Sequence, residues 1–216
     1  MRNVGNKNRI IHMEKNLNAV EHAQPKYLFF DTETTGLPGD YNAPTSCSEN
    51  WPRLVQLSWI VTDENLDVLA KHDFIIRPEG FVIPDDVICI HGITNEVALE
   101  KGVPLRDVAN AFLEDFNSVD AIVGHNVEFD KKIMGAELIR LGGNDVMNNK
   151  DNLCTMTSSR NYCKLPGKVE GEYKRPRLQE LHKFLFGYEF EDAHNSMCDI
   201  SATLKCFRAL REKGVI

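Results

Sequence analysis

The order of hydrophobic patterns along the chain predicts an α/β layered domain built on a mixed sheet. Three observations carry this. "KYLFF" (26–30) is a continuous apolar run, the pattern of a central strand covered on both faces. "LVQLSWIVT" (54–62) and "DVLAKHDFIIRP" (67–78) are strand-like and joined only by "DENL", so they pair as an antiparallel hairpin. Helix-spaced segments then alternate with one more short apolar run.

The elements follow in order. A loop rich in Pro, Gly and Ser, "LPGDYNAPTSCSENWPR", separates the first strand from the hairpin. "VPLRDVANAFLEDF" (103–116) has apolar residues at helical spacing, and "AIVG" (121–124) reads as a short buried strand. "VEFDKKIMGAELIRLGG" and "RLQELHKFLFG" are helices that stop on glycine, which accepts the left-handed conformation of a helix end. A last long helix covers about 195–212. Residues 1–24 hold five asparagines (Asn3, Asn6, Asn8, Asn16, Asn18) and read as a flexible extension. A weak amphipathic helix through Ile10, Ile11, Leu17 and Val20 is the other reading. Residues 25–216 are then a single domain, with no internal repeat and no domain-sized linker.

Composition narrows the function classes. A formal net charge of -7 argues against a protein that coats nucleic acid by bulk phosphate neutralisation. Any nucleic-acid role must be local. The six cysteines show no CxxC pair or zinc-like spacing, and read as free thiols of a reducing, cytoplasmic compartment. No apolar run approaches the ~20 residues a membrane helix needs, and no signal-peptide core opens the chain.

The chemistry-bearing residues are acids. In "FFDTETTGL" (29–37), Asp31 and Glu33 stand at i and i+2 and share one face of an extended strand. Two solvated acids in a turn is the simpler reading of that pair alone. A divalent-cation site is the functional one, since hard cations take carboxylate oxygens. In "GHNVEFDKK", Asn126 is a natural helix N-cap and Asp130 falls in the first turn, where the helix dipole favours an acid. A structural acid explains Asp130 equally well at this point. In "EDAHNSMCDIS", His194 and Asp199 are too poorly aligned on one continuous helix to share a site. His194 is therefore expected in the loop before the helix, with Asn195 or Ser196 as cap and Asp199 in the first turn. That arrangement suits a fixed metal ligand beside a mobile proton carrier.

Taken together, "DTETTGL", "GHNVEFD" and "AHNSMCD" resemble the three motifs of the DnaQ-like exonuclease superfamily, in its DEDDh branch. "CIHGITNEVALEKGVPL" (89–105) resembles that family's segment between the first two motifs. "KLPGK" (164–168) and the "PRLQELHKFLFG" that follows resemble epsilon-type proofreading exonucleases. The resemblance covers roughly residues 26–212. It implies an RNase H-like fold, a five-stranded mixed sheet with helices on both faces, and removal of nucleotides from 3′ ends. It makes Asp31, Glu33, Asp130 and Asp199 metal ligands and His194 the general base. Thr34, Thr35, Leu37, His91, Ile93, Asn126 and Phe129 match positions that hold the substrate strand. The implied cofactors are two divalent cations, Mg²⁺ or Mn²⁺, matched in charge to the four carboxylates. The product would be a nucleoside 5′-monophosphate.

The implied partners are single-stranded or frayed nucleic-acid 3′ ends. A DNA polymerase partner is compatible with the resemblance but unsupported by any segment, and the short end after the last helix ("REKGVI") is expected to favour a stand-alone nuclease. Residues 164–177 carry five cations (Lys164, Lys168, Lys174, Arg175, Arg177) against Glu170 and Glu172, and read either as a solvated loop or as a backbone-tracking loop. Rival functions are an exoribonuclease of the same superfamily, a non-catalytic nucleic-acid-binding domain, and a metal-dependent phosphatase acting on small nucleotides.

Overall fold

The computed structural model describes residues 26–191 and 193–216; the expected extension over 1–24 lies outside them. The strands are β1 (Tyr27–Thr34), β2 (Leu54–Thr62), β3 (Val68–Ile75), β4 (Ala121–Gly124) and β5 (Asp151–Cys154). The helices are α1 (Asp85–His91), α2 (Asn95–Lys101), α3 (Leu105–Ser118), α4 (Val127–Arg140), α5 (Thr155–Cys163), α6 (Leu178–Phe186) and α7 (Ser196–Glu212). The sheet is five-stranded, in the order β3-β2-β1-β4-β5. β1 pairs antiparallel with β2 and β2 with β3, while β1–β4 and β4–β5 are parallel. The expected mixed sheet is therefore present.

β1 lies at the centre, and its alternation divides the two faces. Leu28 and Phe30 point into a core shared with Phe112 and Phe116 of α3 and Ile133 and Met134 of α4. Phe29 points the other way, against Ile200 and Phe207 of α7. The Phe29 and Phe207 rings meet edge to face at 5.3 Å, a favoured aromatic geometry. α6 packs behind α7 through Leu181, Cys206 and Leu210. Helices thus cover both faces, and whatever β1 presents at its end is framed by α4 on one side and α7 on the other.

Four elements go beyond the hydrophobic pattern. α1 and α2 are short, and both fall in the stretch between β3 and α3. β5 (DNLC) and α5 (TMTSSRNYC) are too polar to announce themselves. β5 is held by its parallel pairing with β4, which supplies the ladder bonds that its side chains could not foretell. β1 runs from Tyr27 to Thr34, so both acids lie within the strand, as their expected shared face requires.

Candidate active site

At the end of β1, Asp31 stands opposite Ser58 and Glu33 opposite Gln56 of β2. Both acids face the α7 side, as their i, i+2 spacing requires. The chain then leaves the strand through Gly36, whose φ of +147° is open to glycine but strained for other residues. α7 begins where β1 ends. Asn195 caps it as expected, its side chain accepting from the Cys198 N–H at 3.2 Å. Ser196 Oγ donates to the Asp31 carbonyl at 2.9 Å and pins the helix start to the strand. Asp199, in the first turn, thereby meets β1: carboxylate oxygens of Asp31, Glu33 and Asp199 lie within 4.8 Å of one another.

Asp130 arrives from the opposite face, in the first turn of α4. The turn before that helix is tight: a Cβ on Gly124 would sit 3.0 Å from the Val127 Cβ. Asn126 occupies the N-cap position but not in the expected way. Its backbone is left-handed (φ 74°), and its side chain makes no capping bond. Asp130 is buried, and its Oδ1 accepts from the Thr32 N–H at 3.1 Å and the Thr32 hydroxyl at 2.8 Å. Thr32 points away from Asp31 and Glu33, which is why Asp130 stands outside the close triplet while its charge still acts on both of them.

Burial and mutual repulsion hold these acids toward their protonated forms. Burial, then the charges of Asp130, Asp199 and Glu33, push Asp31 well above the carboxylate range. Glu33 is raised to about 8, by burial first and then by Asp199 and Asp130. Asp130 is raised to about 7 by burial, against the opposing Thr32 bonds. Asp199 is raised to about 6 by burial, opposed by the backbone bond from His194. Hard divalent cations fit this donor set, because its donors are carboxylate oxygens and cation charge would remove the repulsion.

His194 lies in the loop before α7, as expected, with an exposed side chain. Its backbone is left-handed (φ 70°), a conformation histidine adopts more readily than most residues. Its N–H donates to Asp199 Oδ2 at 3.1 Å. Histidine and acid are therefore linked through the main chain, and the charge of the exposed ring acts on the same carboxylate.

A cavity of about 250 Å³ opens beside the acids, lined by Glu33, Thr34, Leu37, Ile90, His91 and Phe129 among others. Leu37 is 74% exposed at its mouth. Of the expected strand contacts, Thr34, Leu37, His91 and Phe129 are brought together there. Thr35 instead pairs with Arg53, donating to its carbonyl at 2.9 Å and accepting from its N–H at 2.9 Å. Ile93 is buried in a cluster with Val55, Ile83 and Val87, and Asn126 is exposed outside that lining. His91 Nδ1 accepts from the Ile93 N–H at 3.1 Å, and its Nε2 is buried without a partner. Burial lowers its pKa, which favours a neutral ring carrying its proton on Nε2.

Two residues act here that the motif reading passed over, Thr32 and Ser196, and a third, His125, acts outside the acid site. Thr32 lies between the two acids, and its position on the other face could have been read from alternation. Ser196 stood only as a possible cap. His125 packs at the β4–α4 turn and touches none of the acids through any hydrogen bond; its ring bonds to Thr155 and Pro176.

Comparison with known proteins identifies the family and fold. The family model described as "Exonuclease" matches residues 28–207. A DNA polymerase III PolC-type from Pediococcus pentosaceus is 31% identical over 178 residues, covering 82% of this chain and 11% of that protein. The DNA polymerase III subunit epsilon of Treponema pallidum is 25% identical over 189 residues, 88% of this chain and 78% of the relative. Among solved structures, E. coli Exonuclease I in complex with a dA16 oligonucleotide aligns with a TM-score of 0.69 at 23% identity, over 88% of this chain and 41% of that one. Exonuclease I from Methylocaldum szegediense gives 0.69 at 22%, again over 88% of this chain and 41% of that one. The chain thus spans a small part of the PolC-type relative and under half of the Exonuclease I chains. The fold is RNase H-like. The chain belongs to the exonuclease family, within the DnaQ-like 3′–5′ exonuclease superfamily.

Proposed function

We propose that this chain is a 3′–5′ exonuclease that hydrolyses phosphodiester bonds at nucleic-acid 3′ ends, DNA ahead of RNA, and releases nucleoside 5′-monophosphates. The observation that carries this reading is the meeting of Asp31, Glu33 and Asp199 oxygens within 4.8 Å, beside a cavity whose lining includes Leu37, His91 and Phe129. Family membership and the DNA polymerase III relatives support both the reaction class and the preference for DNA.

The roles follow from chemistry. Asp31, Glu33 and Asp199, with Asp130 completing the set, would hold two divalent cations, Mg²⁺ or Mn²⁺. Such cations supply an activated water and charge neutralisation at the scissile phosphate. Thr32 keeps Asp130 aimed at the site and favours its ionised form. His194 takes the proton of the attacking water as general base. Leu37 stacks against the terminal base with little regard for sequence, and Phe129 and His91 close the cavity around it. A single-stranded or frayed 3′ end fits an opening of this size. Among the described residues, no helix is long and apolar enough to cross a membrane. Cys47, Cys89, Cys154, Cys163 and Cys206 are free thiols, which supports a reducing, cytoplasmic setting. The nuclease unit is taken as residues 25–216; a polymerase partner is left to pull-down with the relatives' polymerase subunits.

Digestion of 5′-labelled DNA and RNA strands of equal length, with Mg²⁺ or with EDTA, tests the reading. A ladder shortening from the 3′ end, faster on DNA and abolished by EDTA, is expected. Absence of shortening, or internal cleavage alone, overturns it, and faster shortening of RNA turns the substrate class to RNA.

A further inference from the structure

The segment 164–177 carries five cations against two acids, a net +3 in a chain of net charge -7. It folds back on itself: the Gly167 N–H donates to the Glu172 carbonyl at 2.8 Å and the Lys174 N–H to the Leu165 carbonyl at 3.0 Å. Lys174 is committed to an ion pair with Glu180. Lys164, Lys168, Arg175 and Arg177 are exposed, yet Pro176, between the two arginines, is buried.

Pro176 is held by His125. The imidazole Nε2 lies 3.0 Å from the Pro176 carbonyl, and Nδ1 lies 2.9 Å from the Thr155 hydroxyl at the start of α5. A carbonyl can only accept, so Nε2 carries the proton. Burial lowers the pKa of His125 to about 4, so near neutrality Nδ1 is an acceptor and Thr155 its donor. The ring is therefore a neutral, directional clamp joining three segments. It sits in the turn between β4 and α4, four residues along the chain before Phe129 of the cavity lining.

We propose that His125 is a positioning residue that fixes the basic segment beside the cleft, so that Arg175 and Arg177 meet backbone phosphates upstream of the 3′ end. The inference rests on the nuclease reading. A dinucleotide has no upstream phosphates to meet, whereas a long single strand does.

The test compares the wild type with His125→Ala and His125→Gln, whose amide nitrogen can still donate to Pro176. For a long single strand, His125→Ala is expected to raise KM about tenfold and to flatten its salt dependence by about one phosphate contact, with kcat retained. The kinetics of a dinucleotide with the same 3′ end should stay within about twofold of wild type. His125→Gln should recover most of the loss. Arg175→Ala/Arg177→Ala should reproduce it, and adding His125→Ala to that pair should change little more. Binding of a fluorescent oligonucleotide in EDTA gives the same comparison without turnover, so an inactive wild type would sink the nuclease reading while leaving the clamp tested. Equal losses on both substrates, or an unchanged KM and salt slope, overturn the clamp.

Discussion

The backbone N–H and the hydroxyl of Thr32 both donate to Oδ1 of Asp130, at 3.1 and 2.8 Å. One residue on the strand's far face thus orients an acid delivered by a different layer. These bonds oppose the burial that raises Asp130 to about 7. Thr32→Val keeps the shape and removes the hydroxyl. A hydrogen bond to a charged group is worth ~1.5–3 kcal/mol, so kcat/KM near neutral pH should fall by about 10- to 100-fold. The acid limb of the pH–activity curve should move to higher pH, because Asp130 will ionise later. An unmoved limb would mean that Asp130 does not titrate in the reaction.

His194 donates a main-chain hydrogen bond to Asp199, which an alanine retains, while the charge of its ring also lowers the Asp199 pKa and would be lost. His194→Ala should therefore slow turnover by ~10²–10⁴-fold, the usual worth of general-base help, while leaving divalent-cation affinity largely intact. Turnover by single-turnover digestion and cation affinity by calorimetry measure the two separately. Comparable losses in both would assign His194 a structural role.

Without cations, the acid cluster weakens the fold as it ionises. Glu33, Asp130 and Asp199 are raised to about 8, 7 and 6 by burial. A raised folded-state pKa contributes stability below the unfolded value near 4, and that contribution is lost as pH rises to about 8. In EDTA, thermal unfolding should thus occur at lower temperature at about pH 8.5 than at about pH 6. Glu33→Gln should be more stable than wild type at the higher pH, and Mg²⁺ should close the gap for wild type alone. A flat melting temperature across this range would show that the carboxylates do not repel one another.

Leu37 is 74% exposed, so its removal should hardly disturb the fold. Packing a leucine side chain against a base buries apolar area worth ~1–2 kcal/mol. Leu37→Ala should raise KM by about 5- to 30-fold, with melting unchanged. A loss confined to one terminal base would instead point to sequence-specific contact.

The alternation of β1 and the caps of α7 were readable because each depends on a few adjacent residues. "DTE" puts Asp31 and Glu33 on one face whatever surrounds it, and Asn195 caps the helix that carries Asp199. What stayed hidden depends on distant partners. β5 is polar and exists through its pairing with β4. The side chain of Asn126 is expected to cap α4, but its backbone is left-handed and the side chain makes no capping bond. Thr32 gains its role only once α4 brings Asp130 to the other side of the sheet. His125 gains its own only when Pro176 folds back onto it.

The claim beneath all of this is that Asp31, Glu33, Asp130 and Asp199 jointly grip divalent cations. Mn²⁺ binding followed by electron paramagnetic resonance, for wild type and for Asp31→Asn, tests it most directly. Saturable binding by the wild type, abolished or severely weakened by the single substitution, is the expected result. A folded wild type that binds no Mn²⁺, or a variant that binds it equally well, would contradict it.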